Sequence, residues 1–185
     1  MAIKIRRNPP IEQMGVLIPT RGVLILGSYS QENRWILATL ADAINLRGYL
    51  PIQAREFFRW YGQTSRQWIA NLCAIVRFII AEDSYPSGES LELKYCTDVG
   101  QVTAILRQEG IVSTWMTLDF DIHQCDMHIF PYTINQLQDP IERNRIINNI
   151  IQWAEQRLRE REEQFYNRIM NYYRRPPQPY YPREI

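Results

Sequence analysis

The sequence predicts a three-layer α/β fold: a parallel five-stranded sheet between two layers of helices, with a long C-terminal helix. Three observations predict it. Val23-Leu24-Ile25-Leu26 and residues 75–81 are short, nearly continuous apolar runs, which suit strands buried on both faces. Segments with helical periodicity alternate with such runs, and the connections are long enough for right-handed crossovers between parallel strands. The composition, 45% hydrophobic and 22% charged over 185 residues, is that of one globular domain with a sizeable core.

Residues 1–20 read as an irregular arm, because Asn8-Pro9-Pro10 and Pro19 interrupt any regular pattern. A domain over residues 21–158 follows. Its first strand, Val23-Leu24-Ile25-Leu26, ends in Gly27-Ser28-Tyr29-Ser30. Ser28 and Gln31 have the spacing of a capping box, and Ile36, Leu37, Leu40 and Ile44 share one face of the helix that Gly48 closes. Residues 49–54 are a second extended segment. Thr64 and Gln67 repeat the capping-box pattern before a helix bearing Trp68, Ile69, Leu72 and Cys73. The second half of the 75–81 run is the third strand. Asp83-Ser84-Tyr85-Pro86-Ser87-Gly88 is turn chemistry, and a helix runs from about Glu89 until Gly100 stops it.

Residues 102–106 make a fourth strand, residues 107–127 carry no decisive pattern, and His128-Ile129-Phe130 reads as the last strand. Pro140 then takes the first position of a long helix whose stripe is Ile146, Ile147, Ile150, Ile151, Ala154 and Leu158. Within it, Glu155 and Arg159 are spaced for an i,i+4 ion pair. Residues 159–185 read as a helical extension, apolar again at Phe165, Tyr166, Ile169, Met170 and Tyr173, and then a Pro/Tyr-rich tail.

Five such strands imply the flavodoxin-like (Rossmann-like) order 2-1-3-4-5, in which the first and third strands meet at the topological switch point where ligands bind. The Gly27 to Ser30 turn and the Asp83 to Gly88 loop are therefore expected to wall one crevice. There Gly27 permits close backbone approach, Ser28 and Ser30 offer hydroxyls beside Tyr29, and the helix N-terminus offers N–H groups to an anion. Glu89 and Glu92 lie one turn apart at the start of the third helix, where the helix dipole favours the ionised carboxylate. Such a carboxylate can bind ribose hydroxyls and stabilise the oxocarbenium-like cation formed when a glycosidic bond breaks. A plainer account is open too: acids at a helix start stabilise it by about 0.3–1 kcal/mol each without any ligand, and Gly-Ser after a strand is ordinary turn chemistry. Trp60 and Tyr61, in an aromatic loop with Phe57, Phe58, Arg55 and Arg59, have the chemistry to stack a base, although large apolar residues also serve the core.

The order of a strand with a Gly/Ser end, a helix closing at Gly48, a strand entering Ser84-Tyr85-Pro86-Ser87-Gly88 and Glu92-Leu93 on the next helix resembles a TIR domain and the nucleoside 2-deoxyribosyltransferase-like group. The likeness spans about residues 22–135 and is specific over Ser84 to Leu93. It implies a nucleotide-binding domain that cleaves an N-glycosidic bond, by NAD hydrolysis or by ribosyl transfer. It implies Glu92 as the catalytic residue, Ser84 and Ser87 lining its turn, and Gly27 and Ser28 on the phosphate or ribose side; Tyr29, Ser30, Asp83, Gly88 and Glu89 adjoin these as further candidate substrate contacts. NAD or another nucleotide would be substrate, with no resident cofactor. Gly88-Glu89-Ser90 stands where TIR domains carry a Trp-Cys pair. A non-catalytic TIR-like signalling or assembly module is the alternative.

The charge balance narrows the partners. A formal net charge of +1 argues against a dedicated nucleic-acid binder, although all but Lys4 and Lys94 of the 21 basic residues are arginine, suited to local anion or partner contacts. No run reaches the ~20 apolar residues that span a bilayer, and the first residues lack a secretory h-region. Cys73, Cys96 and Cys125 are odd in number and widely spaced, as in a reduced cytoplasmic protein. The segment from His123 to His128 with Asp119 and Asp121 offers ligand types but no completing pair, so no metal site is expected. A homo-oligomer, or a protein partner for the C-terminal helix and tail, is expected.

Overall fold

The computed structural model describes residues 11–31, 33–53, 64–84, 89–111 and 126–173. Helix α1 (Ile11–Arg21) leads into β1 (Gly22–Leu26), followed by α2 (Arg34–Asn45), β2 (Leu50–Gln53), α3 (Ser65–Ile75) and β3 (Phe78–Glu82). Helix α4 (Glu89–Asp98), β4 (Thr103–Gln108), β5 (Met127–Tyr132), the short α5 (Ile134–Gln138) and α6 (Pro140–Tyr173) complete the order. All strand pairs are parallel, in the order β2-β1-β3-β4-β5. This is the α/β arrangement expected from the sequence.

The unbroken apolar runs belong to the central strands. Every residue of β1 and β3 is buried, because helices cover both faces of the sheet. Successive side chains of a strand point to opposite faces. Val23, Ile25, Phe78 and Ile80 accordingly join Ile36, Leu40, Ile44, Ile147 and Ile150 on the α2/α6 side. Leu24, Leu26, Ile79 and Ala81 join Ile18, Trp68, Leu72, Cys73 and Cys96 on the other. The two edge strands carry the prolines, Pro51 in β2 and Pro131 in β5, where a missing N–H leaves no central ladder incomplete.

Residues 11–20, read from sequence as part of an irregular arm, instead belong to the helix Ile11–Arg21. Pro19 lies in the last turn of this helix, where it withholds one N–H donor, and Ile18 is buried against the sheet. Gly22 lets this helix pass straight into β1: a Cβ there would lie 2.5 Å from the Ile18 carbonyl oxygen.

The capping box at Thr64 and Gln67 is present, and Thr133 with Gln136 forms another before α5. Ser28 and Gln31 do not form one. Helix α2 starts later, at Arg34 behind Asn33, and the Ser28 hydroxyl accepts the Ser30 N–H at 3.3 Å as a local turn. Nor does Glu155 pair with Arg159. Its carboxylate takes the Arg77 guanidinium through two bonds of 2.6 Å and the Tyr49 hydroxyl at 2.8 Å, fastening α6 to the amino ends of β3 and β2. The tertiary partner provides bidentate geometry that the neighbour on the same helix does not.

Candidate functional site

The carboxyl ends of β1 and β3 adjoin, as their register dictates: Leu26 pairs with Ala81, which sets Gly27 beside Glu82. A Cβ on Gly27 would stand 3.2 Å from the Glu82 Cβ and 2.7 Å from Leu37 Cδ2. Glycine thus permits a close approach that any side chain would reach only by displacing Leu37 and crowding Glu82. The turn behind it is only partly available to a ligand. Ser28 is buried, Tyr29 is half-buried against the core, and Ser30 is exposed. The Ser30 carbonyl accepts the N–H groups of Asn33 at 3.2 Å and Arg34 at 3.0 Å, so two amides expected to face an anion are already engaged.

Glu82 ends β3 with 1% of its surface exposed and anchors a chain of hydrogen bonds. The Gln108 N–H donates to Ser84 Oγ at 2.9 Å, and Ser84 Oγ lies 3.1 Å from the Tyr132 hydroxyl. That hydroxyl donates to Glu82 Oε1 at 2.8 Å, which also accepts the Ser84 N–H at 3.1 Å. Three parallel strands, β3, β4 and β5, are tied together at one edge. Burial pushes the Glu82 carboxyl above the ordinary carboxylate range, while the bonds from Ser84 and Tyr132 oppose the shift and the Asp83 charge adds to it. Glu82 Oε2 and Gln108 Oε1 are buried without a hydrogen-bond partner among the described residues. Beside them, Asp83 is buried in a 2.7 Å ion pair with Arg107.

Of the site residues expected from sequence, Gly27, Ser28, Tyr29, Ser30, Asp83 and Ser84 fall at this carboxyl edge. Helix α4 follows β3 and crosses back to β4, so Glu89 and Glu92 occupy its first two turns at the same edge; their side chains lie outside the described residues. Trp60, Tyr61, Ser87 and Gly88 also lie outside them. Glu82, Gln108 and Tyr132 were not singled out by sequence reasoning. The available signal was an acid ending an apolar strand, Ile80-Ala81-Glu82, in a position where burial is otherwise reserved for apolar residues.

No known family model matches this chain, and no curated protein matches its sequence. Among solved structures, the CMP N-glycosidase BcmB of Clostridium botulinum superimposes with a TM-score of 0.51 at 14% identity, over 64% of this chain and 95% of that one. What is shared is the fold. The constitutive lysine decarboxylase of E. coli matches 88% of this chain with a TM-score of 0.48 and 14% identity, but this chain spans only 21% of that much longer protein.

Elsewhere, His128 stacks on Trp153 of α6, with ring centroids 5.5 Å apart, and meets Phe130 edge-on. Among the described residues, no three His, Cys, Asp or Glu side chains group to hold a metal ion; Asp119, Asp121, His123 and Cys125 lie outside them. No described helix is long and apolar enough to cross a membrane.

Proposed function

We propose that this chain binds a nucleotide and cleaves its N-glycosidic bond, with Glu92 as the catalytic carboxylate, in the manner of TIR-like or deoxyribosyltransferase-like domains. The observation that carries this reading is the polar cluster at the switch point. Glu82 Oε2 and Gln108 Oε1 are buried acceptors beside Ser84, and the chain continues from Ser84 toward the helix bearing Glu89 and Glu92. Sugar hydroxyls both donate and accept hydrogen bonds, so ribose complements such acceptors where an apolar ligand would leave them desolvated. The fold in common with a CMP N-glycosidase supports the same class of substrate.

In this reading the Gly27 to Ser30 turn lies on the phosphate side, with Ser28 and Tyr29 toward the ribose. Trp60 or Tyr61 covers the base, and Asp83, Ser84, Ser87, Gly88 and Glu89 shape the wall around Glu92. As the C1′–N bond breaks, its electron pair leaves with the base and positive charge spreads over C1′ and the ring oxygen. The Glu92 carboxylate stabilises or captures C1′, and water or a second base completes hydrolysis or transfer. NAD or a nucleoside monophosphate is substrate, and no metal or resident cofactor takes part. Cytoplasmic residence with reduced thiols belongs to the same proposal.

The test is incubation with NAD, CMP and a nucleoside panel, with the released base resolved chromatographically. Wild type should release base from at least one substrate. Glu92→Ala should slow that release by at least about a hundredfold at unchanged melting temperature. No release from any substrate, or release by Glu92→Ala at the wild-type rate, removes the assignment. The second reading, a non-catalytic assembly module, is favoured by the exposed aromatic end of α6.

A further inference from the structure

We propose that the overhanging half of α6 is a self-association surface, on which the same segment of a second copy of this chain lies antiparallel. Helix α6 has 34 residues, but its buried positions stop at Ala154. Beyond them its apolar stripe continues without cover: Phe165 is 67% exposed, Tyr166 60%, Tyr172 73% and Tyr173 78%. Phe165, Ile169 and Tyr172 follow the four- and three-residue spacing of a helix–helix seam, one heptad beyond Leu158, which packs on the core.

Charge selects the occupant. The arginines before residue 162 are turned back on their own domain or helix. Arg157 is held by Asp126 at 2.6 Å and Glu160 at 2.9 Å, and Arg159 by Gln156 at 2.9 Å. Arg161 reaches Asp126 at 3.2 Å and the Gly100 carbonyl at 2.6 Å. That leaves Glu162 and Glu163 ahead of the Phe165-Tyr166 pair and Arg168 behind it, with no ion pair to any of the three among the described residues. An antiparallel copy centred on Phe165 and Tyr166 sets each acidic pair against the other's Arg168. A parallel copy sets like against like. The overhang also walls a cleft of about 690 Å³ with Pro19, Val76 and Gln101, in line to receive the partner's aromatic end.

The test is the mass of the full chain by sedimentation across micromolar concentrations, at low and high salt. A dimer is expected that weakens as salt rises. Phe165→Asp combined with Ile169→Asp should yield a folded monomer whose thermal melt no longer depends on protein concentration, because these side chains lie outside the core. Arg168→Glu, and Glu162→Arg with Glu163→Arg, should each weaken the dimer by roughly tenfold, and an equimolar mixture of the two proteins should recover it. A wild type that is monomeric throughout overturns the proposal, whether the chain's own tail or another protein covers this face. So does a dimer indifferent to Phe165→Asp with Ile169→Asp, or a failure of the charge-reversed proteins to pair with each other.

Discussion

Glu82 shows how one residue can couple stability to the candidate site. A carboxyl group with 1% exposure is costly to ionise, and burial raises its folded-state pKa despite the bonds from Ser84 and Tyr132. A raised folded value means that the stability involved is fully present below the ordinary carboxylate range and is lost as pH rises through the raised value. Glu82→Gln keeps an acceptor for Tyr132 and the Ser84 amide but cannot titrate. Its stability relative to wild type should therefore climb from mildly acidic to neutral pH, read as urea midpoints. A difference that stays constant with pH would mean that Glu82 does not titrate in this window. The local sign in the sequence, an acid closing an apolar strand, does not decide burial, because a strand's final acid is usually solvated. Its burial depends on Gly27, Tyr132 and Gln108, which are distant along the chain.

The elements are held by contacts of two kinds. Apolar stripes seat α2, α3 and the first half of α6 on the sheet, and these were readable from spacing because helix and strand periods differ. Polar links then fix where the long helix docks: Arg47 reaches Asn144 and Asn148, and Glu155 takes Arg77 and Tyr49. The Arg77 guanidinium holds the Glu155 carboxyl below its ordinary range. Burial, followed by the bond to Glu155, pushes the Tyr49 hydroxyl up to about 12. Arg77→Met should cost about 1–2 kcal/mol at neutral pH, since a half-buried carboxylate loses its charged partner. A depressed folded value places this contribution above the ordinary carboxylate range and removes it as pH falls through the depressed value. The difference between Arg77→Met and wild type should shrink in acid, and chemical denaturation across that range measures it. An equal difference at all pH values would assign the loss to packing of the arginine stem instead.

For the whole molecule, parallel topology decides where a ligand can reach. Parallel pairing brings every strand's carboxyl end to one edge, and the order 2-1-3-4-5 opens that edge between β1 and β3. A nucleotide that binds this edge in the native state alone must raise apparent stability. The shift is about 2.7 kcal/mol at a concentration one hundred times its Kd. Thermal scans with NAD, CMP and single nucleosides should show a concentration-dependent rise for at least one, with Glu92→Ala separating binding from turnover. Self-association through α6 predicts a separate dependence on protein concentration.

The sequence by itself determined the layer architecture, the strand order and the edge at which the Gly27 turn and the start of α4 meet. Those follow from hydrophobic periodicity, glycine placement and the handedness of crossovers, all of which act over a few residues or are general to chains. Only the tertiary structure decided that residues 11–21 are helical, that Glu155 turns to Arg77, and that Glu82 is buried in a network with Ser84, Gln108 and Tyr132. Each of these depends on partners tens of residues away, and a polar side chain's partner is chosen by three-dimensional distance and desolvation, which no local pattern encodes.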